Sequence, residues 1–239
     1  MVNLFPFRGT RPHNEEAKNI IAPSTDHLSK ENIDKIYNKN YWNYLKILNP
    51  VGQLKESENF IAAKNHFKEM KKKEVIKKDN KSSFYIYRIS LGDHVQLGFL
   101  ALANISDFIS NNIKGHENTH EKRMKDRADQ MLNIKTQIGP IYTTFTEDRN
   151  IQKMLESFTK SNPDYDFDSF DNSHHTLWCI NNELDVKKIS KQLQSISSLY
   201  IADGHHRMGA MQHINKKNPL NDKFMIAAFP SNECKIFDY

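Results

Sequence analysis

The residues with the greatest capacity for chemistry form one short segment, Asp203-Gly-His-His-Arg207. An apolar run, Leu199–Ala202, leads into it and predicts a buried strand, and helical spacing begins directly after it. A glycine at the turn allows backbone to approach a ligand closely. A helix that begins there directs free amide groups and the positive end of its dipole at the same point. The pattern predicts a pocket for a phosphate-bearing ligand.

Each side chain of this turn has a predicted role. An arginine can grip phosphate oxygens through two parallel hydrogen bonds, so we expect Gly204, His205 and Arg207 to bind phosphate. Asp203 and His206 are predicted to be catalytic, because Asp203 could hold a metal, orient a histidine or accept a proton. The alternative is that Asp203 only caps the helix. A cap requires neither two histidines nor an arginine, which favours the functional interpretation.

A second polar segment, Lys114–Arg127, carries further candidates. Glu117 is a candidate catalytic base or metal ligand. Arg123 and Arg127 are four apart, hence on one helix face, and are predicted to bind phosphate. The residues His116–His120 match the zinc-protease pattern H-E-x-x-H, but a glycine precedes them and no apolar helix face surrounds them. An ordinary charged helix is the other interpretation.

Two further basic segments carry less information. Phe7-Arg-Gly-Thr-Arg-Pro12 is compatible with anion binding, which makes Arg11 a candidate phosphate ligand. The lysine-rich stretch Lys64–Lys81 holds much of the net charge of +5 and could bind phosphate backbones. Aromatic residues are sparse there, so a solvated helix face is favoured and nucleic acid is an unlikely partner. The pair His174-His175 beside a strand is more often structural.

Hydrophobic periodicity and turn residues predict the elements. Helices are predicted over 29–44, 57–77, 119–137, 148–159, 185–196 and 206–215, strands over 84–91, 95–101, 141–145, 176–180, 199–202, 224–229 and from 234 onward, and a loop over 164–171. Strands and helices that alternate predict an α+β (mixed α/β) fold with a mixed sheet and surrounding helices.

The chain is expected to be one domain, 1–239, with a possible division near residue 80 into a helical part, 1–80, and a sheet-containing core, 81–239. A strand predicted to begin at Cys234 suggests that the domain is truncated at its C-terminal end. Cys179 and Cys234 suit buried free thiols. The longest mostly apolar run, Leu97–Ile105, is about half the length that crosses a bilayer. A cytoplasmic protein without a membrane partner is therefore expected.

In this order, the segments resemble the domain-of-unknown-function 1015 family. The matching pieces are Phe7-Arg-x-x-Arg-Pro12, Ala22-Pro23 with Asp26, Asn49-Pro50, Phe84–Arg88, Lys114–Arg127, Thr136–Pro140, His175–Trp178, Ala202–Arg207 and Phe237–Tyr239. The Asp-Gly-His-His-Arg turn of that family is similar to the phosphate-binding turn of ParB/sulfiredoxin-like proteins, which include free serine kinases. The resemblance implies a ParB/sulfiredoxin-like element near the C-terminus.

The resemblance also implies a function. It leads us to expect a nucleotide-dependent phosphotransferase that acts on a small hydroxylated metabolite, with free serine as a candidate. Mg²⁺ with ATP or ADP would be the cofactor, and a nucleotide and a small molecule the partners. The alternative is a non-catalytic nucleotide-binding protein with a regulatory or nucleic-acid-associated role.

Overall fold

The computed structural model describes residues 1–13, 16–22, 29–48 and 56–235. Its helices are α1 (Ala17–Ile20), α2 (Lys30–Lys39), α3 (Leu45–Leu48), α4 (Glu56–Lys72), α5 (Ile105–Ile109), α6 (Glu121–Ile134), α7 (Arg149–Phe158), α8 (Glu183–Leu193) and α9 (His205–Lys217). Its strands are β1 (Leu4–Phe5), β2 (Thr10–Pro12), β3 (Ile76–Lys78), β4 (Phe84–Leu91), β5 (His94–Asn104), β6 (Ile113–Lys114), β7 (Ile141–Phe145), β8 (Tyr165–Asp168), β9 (His174–Ile180), β10 (Leu199–Asp203) and β11 (Lys223–Pro230).

Within the described residues, nine strands form one mixed sheet in the order β6-β10-β7-β11-β5-β4-β9-β8, with β1 added beside β5. The pairs β6–β10 and β7–β11 are parallel, and the other pairs are antiparallel. The short strands β2 and β3 pair separately. The predicted mixed α/β fold, with a mixed sheet and surrounding helices, is confirmed.

Strand β5 is the axis of this sheet. Along one edge it pairs with β11, and along the other it pairs first with β4 and then with β1. Side chains alternate between the two faces of a strand. Phe99, Ala101 and Ala103 are fully buried on one face, whereas Leu100 and Leu102 line a cavity on the other. Core residues from before and after position 80, such as Phe67 and Phe84, belong to one hydrophobic cluster.

The helices that frame the predicted site pack on one another. Helix α9 buries Met208, Met211 and Ile214, which recur every three residues and so share one face. It packs closely against α6, and α6 packs in turn against α4. Gly209 allows this approach, because a Cβ there would lie 3.0 Å from Cγ of Met124 on α6.

Two predicted helix starts are confirmed by their caps. The Asp148 side chain accepts hydrogen bonds from the amides of Asn150 and Ile151, and α7 begins at the next residue. The Ser29 hydroxyl accepts a hydrogen bond from the Asn32 amide at the start of α2. Such caps satisfy amides that have no partner inside the helix.

The prediction of a loop over 164–171 is wrong. Strand β8 lies within that range and pairs antiparallel with β9, which itself begins two residues before its predicted start. Tyr165 and Phe167 line the cavity on one face. On the other, exposed Asp166 and Asp168 both bind His174. The alternation of aromatic and acidic residues is a strand pattern, and the acidic half obscured it.

Predicted helix ends also shift. The helix predicted over 29–44 ends at Lys39, because the Asn40 and Asn43 side chains accept hydrogen bonds from amides two residues on and form Asx turns. Helix α6 ends at Ile134, followed by Lys135 at φ 58°. The helix predicted over 57–77 ends at Lys72, and β3 follows.

At the C-terminal end, Ser231–Glu233 form a 3-10 turn, and Cys234 and Lys235 are not in a strand. The rest of the strand predicted from Cys234 lies outside the described residues. Cys179 and Cys234 are free, as expected, but half-buried rather than buried. In the part of the chain that is described, no helix has the length and apolar character needed to cross a membrane.

The close approach of the paired strands β5 and β11 depends on Gly98. A Cβ at this position would lie 2.2 Å from the Ala228 carbonyl oxygen and 2.7 Å from Cδ1 of Phe229. We expect Gly98→Ala to lower the free energy of unfolding by about 3 kcal/mol, the upper end for overpacking. Chemical denaturation measures this value.

Gly92→Ala is the matched control. Gly92 has φ 55° with open space around it, so its substitution adds only backbone strain, about 1 kcal/mol. Equal losses in the two variants would contradict the close approach at Gly98.

Candidate functional site at the N-terminus of helix α9

The turn between β10 and α9 has the geometry that the sequence predicts. The pairing of β10 with β7 shifts register between Ile201 and Asp203, and Gly204 follows at φ 102°. Gly204 is the N-cap and makes no side-chain cap bond. The Met208 amide bonds to the Gly204 carbonyl at 2.9 Å. The amides of residues 205–207 therefore precede the hydrogen-bond ladder of the helix.

Asp203 is not the cap that the alternative interpretation requires. Its carboxylate Oδ2 accepts a hydrogen bond from Nη2 of Arg207, four residues further along the sequence. The carboxylate side chain is 77% exposed and the guanidinium side chain 28% exposed. The predicted residues Asp203 and Arg207 are thus brought together as an ion pair at the protein surface.

The guanidinium of Arg207 lies over two glycines. A Cβ on Gly204 would be 2.9 Å from its Nε, and a Cβ on Gly139 would be 3.1 Å from its Nη1. Gly204 is therefore required for its positive φ and for the space that the arginine occupies. Since Gly139 follows α6, the arginine connects the turn with the segment that leads into β7.

A loop, residues 115–120, lies against the first turn of α9. The His116 amide donates to Nε2 of His205 at 3.3 Å, and the His120 amide donates to Nε2 of His206 at 3.2 Å. The His116 ring stands edge-on to His205 at 4.5 Å, and the rings of His120 and His206 stack at 6.2 Å. The loop is thus attached to the helix by two matched backbone-to-histidine contacts.

These contacts settle the proton positions on the two rings. An Nε2 that accepts a hydrogen bond has no proton, so each neutral ring carries its proton on Nδ1. Nδ1 of His205 faces Oε2 of Glu117 at 3.4 Å. His205 is only 5% exposed, and burial, reinforced by His116, lowers its pKa. Glu117 is half-exposed beside a neutral imidazole.

The structure therefore brings together most of the predicted site. His205 and His206 contact the loop that carries Glu117, and Asp203 and Arg207 pair with each other at the same turn. His205 is placed differently from its predicted role as a phosphate ligand, because its ring is buried and its Nε2 is occupied. Its ring instead packs against the loop and accepts a hydrogen bond from the His116 amide.

Three predicted arginines lie outside this group. Arg123 is exposed on α6. Arg127 donates through Nη1 to the Leu48 carbonyl and to Oε1 of Gln130, both at 2.9 Å, and so ties α3 to α6. Arg11 binds two carboxylates, Asp79 at 2.9 Å and Asp164 at 3.2 Å. The geometry gives Arg127 and Arg11 structural tasks and lends no support to phosphate binding by them.

The H-E-x-x-H residues do not have the helical arrangement of the zinc-protease motif. His116 and His120 lie in the loop, and α6 begins at Glu121 with His120 as its N-cap. The two histidines therefore are not one helical turn apart on a helix face. Among the residues that the structure describes, no group of three or more His, Cys, Asp or Glu is placed to hold a metal ion.

Sequence analysis missed a second group of polar residues. A cavity of about 1100 Å³ lies beside the sheet, and Tyr87, Asp171 and His175 line it. Residues 203–207 do not line it, although Gly139 does. The available signal was the alternation through β8 and β9, which places Phe167 and His175 on one face, directly opposite each other.

The chain belongs to the domain-of-unknown-function 1015 family. The family model, described as "Protein of unknown function (DUF1015)", matches residues 4–239. Comparisons with curated proteins and with solved structures gave no match. The predicted ParB/sulfiredoxin-like element stays a prediction.

The support that His205 gives the loop should depend on pH. The pKa of His205 is lowered in the folded protein, whereas an unfolded histidine takes up a proton near pH 6.5. Below about that pH the unfolded chain binds more protons, so this contribution to stability is lost as the pH falls. The wild type should be more stable than His205→Gln at pH 8, and the difference should narrow towards pH 5.

Urea denaturation of both proteins across this range measures the difference. The comparison removes the contributions of the other histidines, which are common to both proteins. A difference that stayed constant from pH 8 to pH 5 would show that folding does not lower the pKa of His205.

Proposed function

We propose that this protein is a nucleotide-dependent phosphotransferase that acts on a small hydroxylated metabolite, with free serine as the candidate. The phosphate groups of ATP or ADP would bind at the N-terminus of α9. The observation that carries the proposal is that the first turn of α9 has three kinds of group beside it: its own amides of residues 205–207, the guanidinium of Arg207 close to Gly204, and the carboxylate of Glu117 3.4 Å from Nδ1 of His205.

The phosphate would replace the carboxylate that Arg207 now binds. An ion pair at the surface contributes little, typically about 0.2–1 kcal/mol. A phosphate carries more charge than Asp203, can accept two parallel hydrogen bonds from the guanidinium, and also meets the free amides. Arg207 should therefore bind the phosphate in preference to Asp203.

Glu117 is the proposed base. Its Oε2 lies 3.4 Å from Nδ1 of His205, the first residue of α9. The carboxylate would accept the proton of the substrate hydroxyl as the hydroxyl oxygen bonds to the terminal phosphorus of the nucleotide, and the bond from that phosphorus to the rest of the nucleotide, the leaving group, would break. His206 accepts from the loop through Nε2, which leaves its Nδ1–H to donate to the transferring phosphoryl group.

Mg²⁺ would arrive with the nucleotide. Magnesium ions at such sites take one or two carboxylates together with phosphate oxygens. Asp203, once Arg207 turns to the phosphate, is an exposed carboxylate of the required kind. When bound, the ion would neutralise charge on the phosphates.

Arg207→Gln tests the phosphate site. The variant should bind ATP–Mg²⁺ about tenfold to hundredfold more weakly than the wild type, because it loses charge-assisted hydrogen bonds. Calorimetric titration of ATP, ADP and inorganic phosphate into the full chain measures the affinities.

Lys217→Gln is the matched control, since it removes one positive charge from the exposed C-terminal end of the same helix. It should bind ATP as the wild type does. If the two variants bound equally well, the phosphates would not be held at the N-terminus of α9.

Glu117→Gln tests the base. The amide keeps the size of the side chain and loses the ability to take up a proton, so turnover should fall by about a hundredfold or more while ATP affinity stays within severalfold. Transfer of labelled phosphate from ATP to serine and to related hydroxylated metabolites is the assay. Nucleotide binding without transfer to any acceptor by the wild type would instead favour the non-catalytic regulatory alternative.

A further inference from the structure

The cavity beside the sheet is a second candidate site, and its floor is made by the sheet itself. Neighbouring strands contribute side chains that lie on one face because they are directly paired in register, as Tyr85 is with Leu100 and Tyr87 with Leu177. Aromatic and aliphatic floor residues include Tyr85, Tyr87, Leu100, Leu102, Leu177 and Met225. Flat apolar side chains of this kind suit an aromatic or similarly flat ligand.

The roof is the N-terminal segment Phe7–Pro12, which is fastened to the sheet. The Gly9 amide donates to the Tyr85 hydroxyl at 2.7 Å, and that hydroxyl donates to Asp79 at 2.6 Å. The Tyr165 hydroxyl donates to the Pro12 carbonyl. A Cβ on Gly9 would lie 2.7 Å from the Tyr85 oxygen, so the roof cannot come so close with any other residue there. These hydrogen bonds fix the segment on the sheet, and the cavity is therefore preformed.

One tyrosine of the floor is tied in a different way. The Tyr87 hydroxyl lies 2.6 Å from Nδ1 of His175, and Nε2 of His175 lies 2.8 Å from Oγ of Ser173. Oγ of Ser173 lies 2.5 Å from Oδ1 of Asp171. The four side chains form one hydrogen-bonded chain along the cavity wall.

The direction of each hydrogen bond among these four side chains follows from the carboxylate of Asp171 at one end of the series. A carboxylate only accepts, so the single proton of Ser173 goes to Asp171, and Ser173 must accept from Nε2–H of His175. Nδ1 of the neutral ring then accepts the proton of Tyr87. Burial lowers the pKa of His175 and raises that of Tyr87, which keeps both groups neutral near pH 7. The Tyr87 oxygen thus has lone pairs left and presents an acceptor to the cavity.

The charged residues that line the cavity favour an anionic ligand. Exposed Arg8, Lys71, Lys78 and Lys135 line it. Among the described lining residues the one carboxylate is Asp171, which is engaged by Ser173. The cationic rim will attract anions, and more strongly at low ionic strength.

We propose that this cavity binds a small aromatic organic anion that also carries a hydrogen-bond donor, at a site separate from the N-terminus of α9. The flat body packs on the tyrosines and aliphatic residues of the floor. The anionic group, a carboxylate, sulfonate or phosphate, meets the lysines of the rim, and the donor meets the Tyr87 oxygen.

The first test uses 8-anilinonaphthalene-1-sulfonate, an aromatic anion whose fluorescence rises in apolar surroundings, with the full chain in its native state. We expect saturable binding of one probe per chain, with a native near-ultraviolet circular dichroism spectrum that excludes a loosened fold. Leu100→Trp, which fills the cavity, should abolish binding. Absence of saturable binding by the wild type would overturn the proposal.

The second test removes charge without touching the floor. The double variant Lys78→Gln/Lys135→Gln should bind the anionic probe about tenfold more weakly, and the neutral probe N-phenyl-1-naphthylamine as the wild type does. The control Lys216→Gln/Lys217→Gln removes the same charge at the far end of α9 and should match the wild type. Equal effects of the two double variants would overturn the assignment, even if Leu100→Trp failed to fold.

The third test addresses the donor. 6-Hydroxy-2-naphthoate should displace the probe at a severalfold lower concentration than 2-naphthoate, and Tyr87→Phe should remove this advantage. An advantage that survived in the variant would show that Tyr87 is not the acceptor.

A final competition distinguishes the cavity from the phosphate site. ATP should not displace the probe, and Arg207→Gln should leave probe binding unchanged. Displacement by ATP would mean that the cavity holds the nucleotide, and it would overturn both the assignment of a second site and the placement of the phosphates at the N-terminus of α9.

Discussion

The pairing of β5 with β11, β4 and β1 is the constraint on which both sites depend. Because side chains alternate along a strand, this one element sends Phe99 into the core and Leu100 into the cavity. A slip of one residue would exchange the two faces. The register is held where Gly98 lets the Ala228 carbonyl come close. Strand β11, placed in this way, pairs with β7 and so fixes the sheet that carries β10 to the turn before α9.

At that turn, histidine performs a task that an apolar residue could not. The amides of His116 and His120 belong to a loop, and each finds an acceptor on a histidine ring of the helix. The ring of His205 fills the space beneath the loop and offers Nε2 to one of them. The cost is a buried imidazole, which burial keeps neutral. A phenylalanine would fill the space and leave the amide without that acceptor, and a lysine could not accept at all.

Local patterns in the sequence predicted the elements and the turn, and distant pairings escaped them. The Asp148 cap, the strands around Gly92 and the positive φ of Gly204 are all encoded within a few residues. The partners of Arg11 lie 68 and 153 positions away along the chain, so its residue type suggested an anion site when its actual anions are protein carboxylates. The hydrogen bonds that link Asp171 to Tyr87 could not be predicted for the same reason, since Tyr87 lies on another strand.

The ion pair between Asp203 and Arg207 bears on how the proposed phosphate site would work. A free arginine at the surface has many rotamers, and a ligand that fixed it would have to overcome that entropy. Here the carboxylate and the two glycines beneath the guanidinium hold the side chain beside the free amides before a ligand arrives. A phosphate would then exchange for one weakly bound carboxylate instead of ordering a flexible cation, and binding to a preorganised group loses less free energy. The same exchange would release Asp203 next to the phosphates, where a magnesium ion needs a carboxylate.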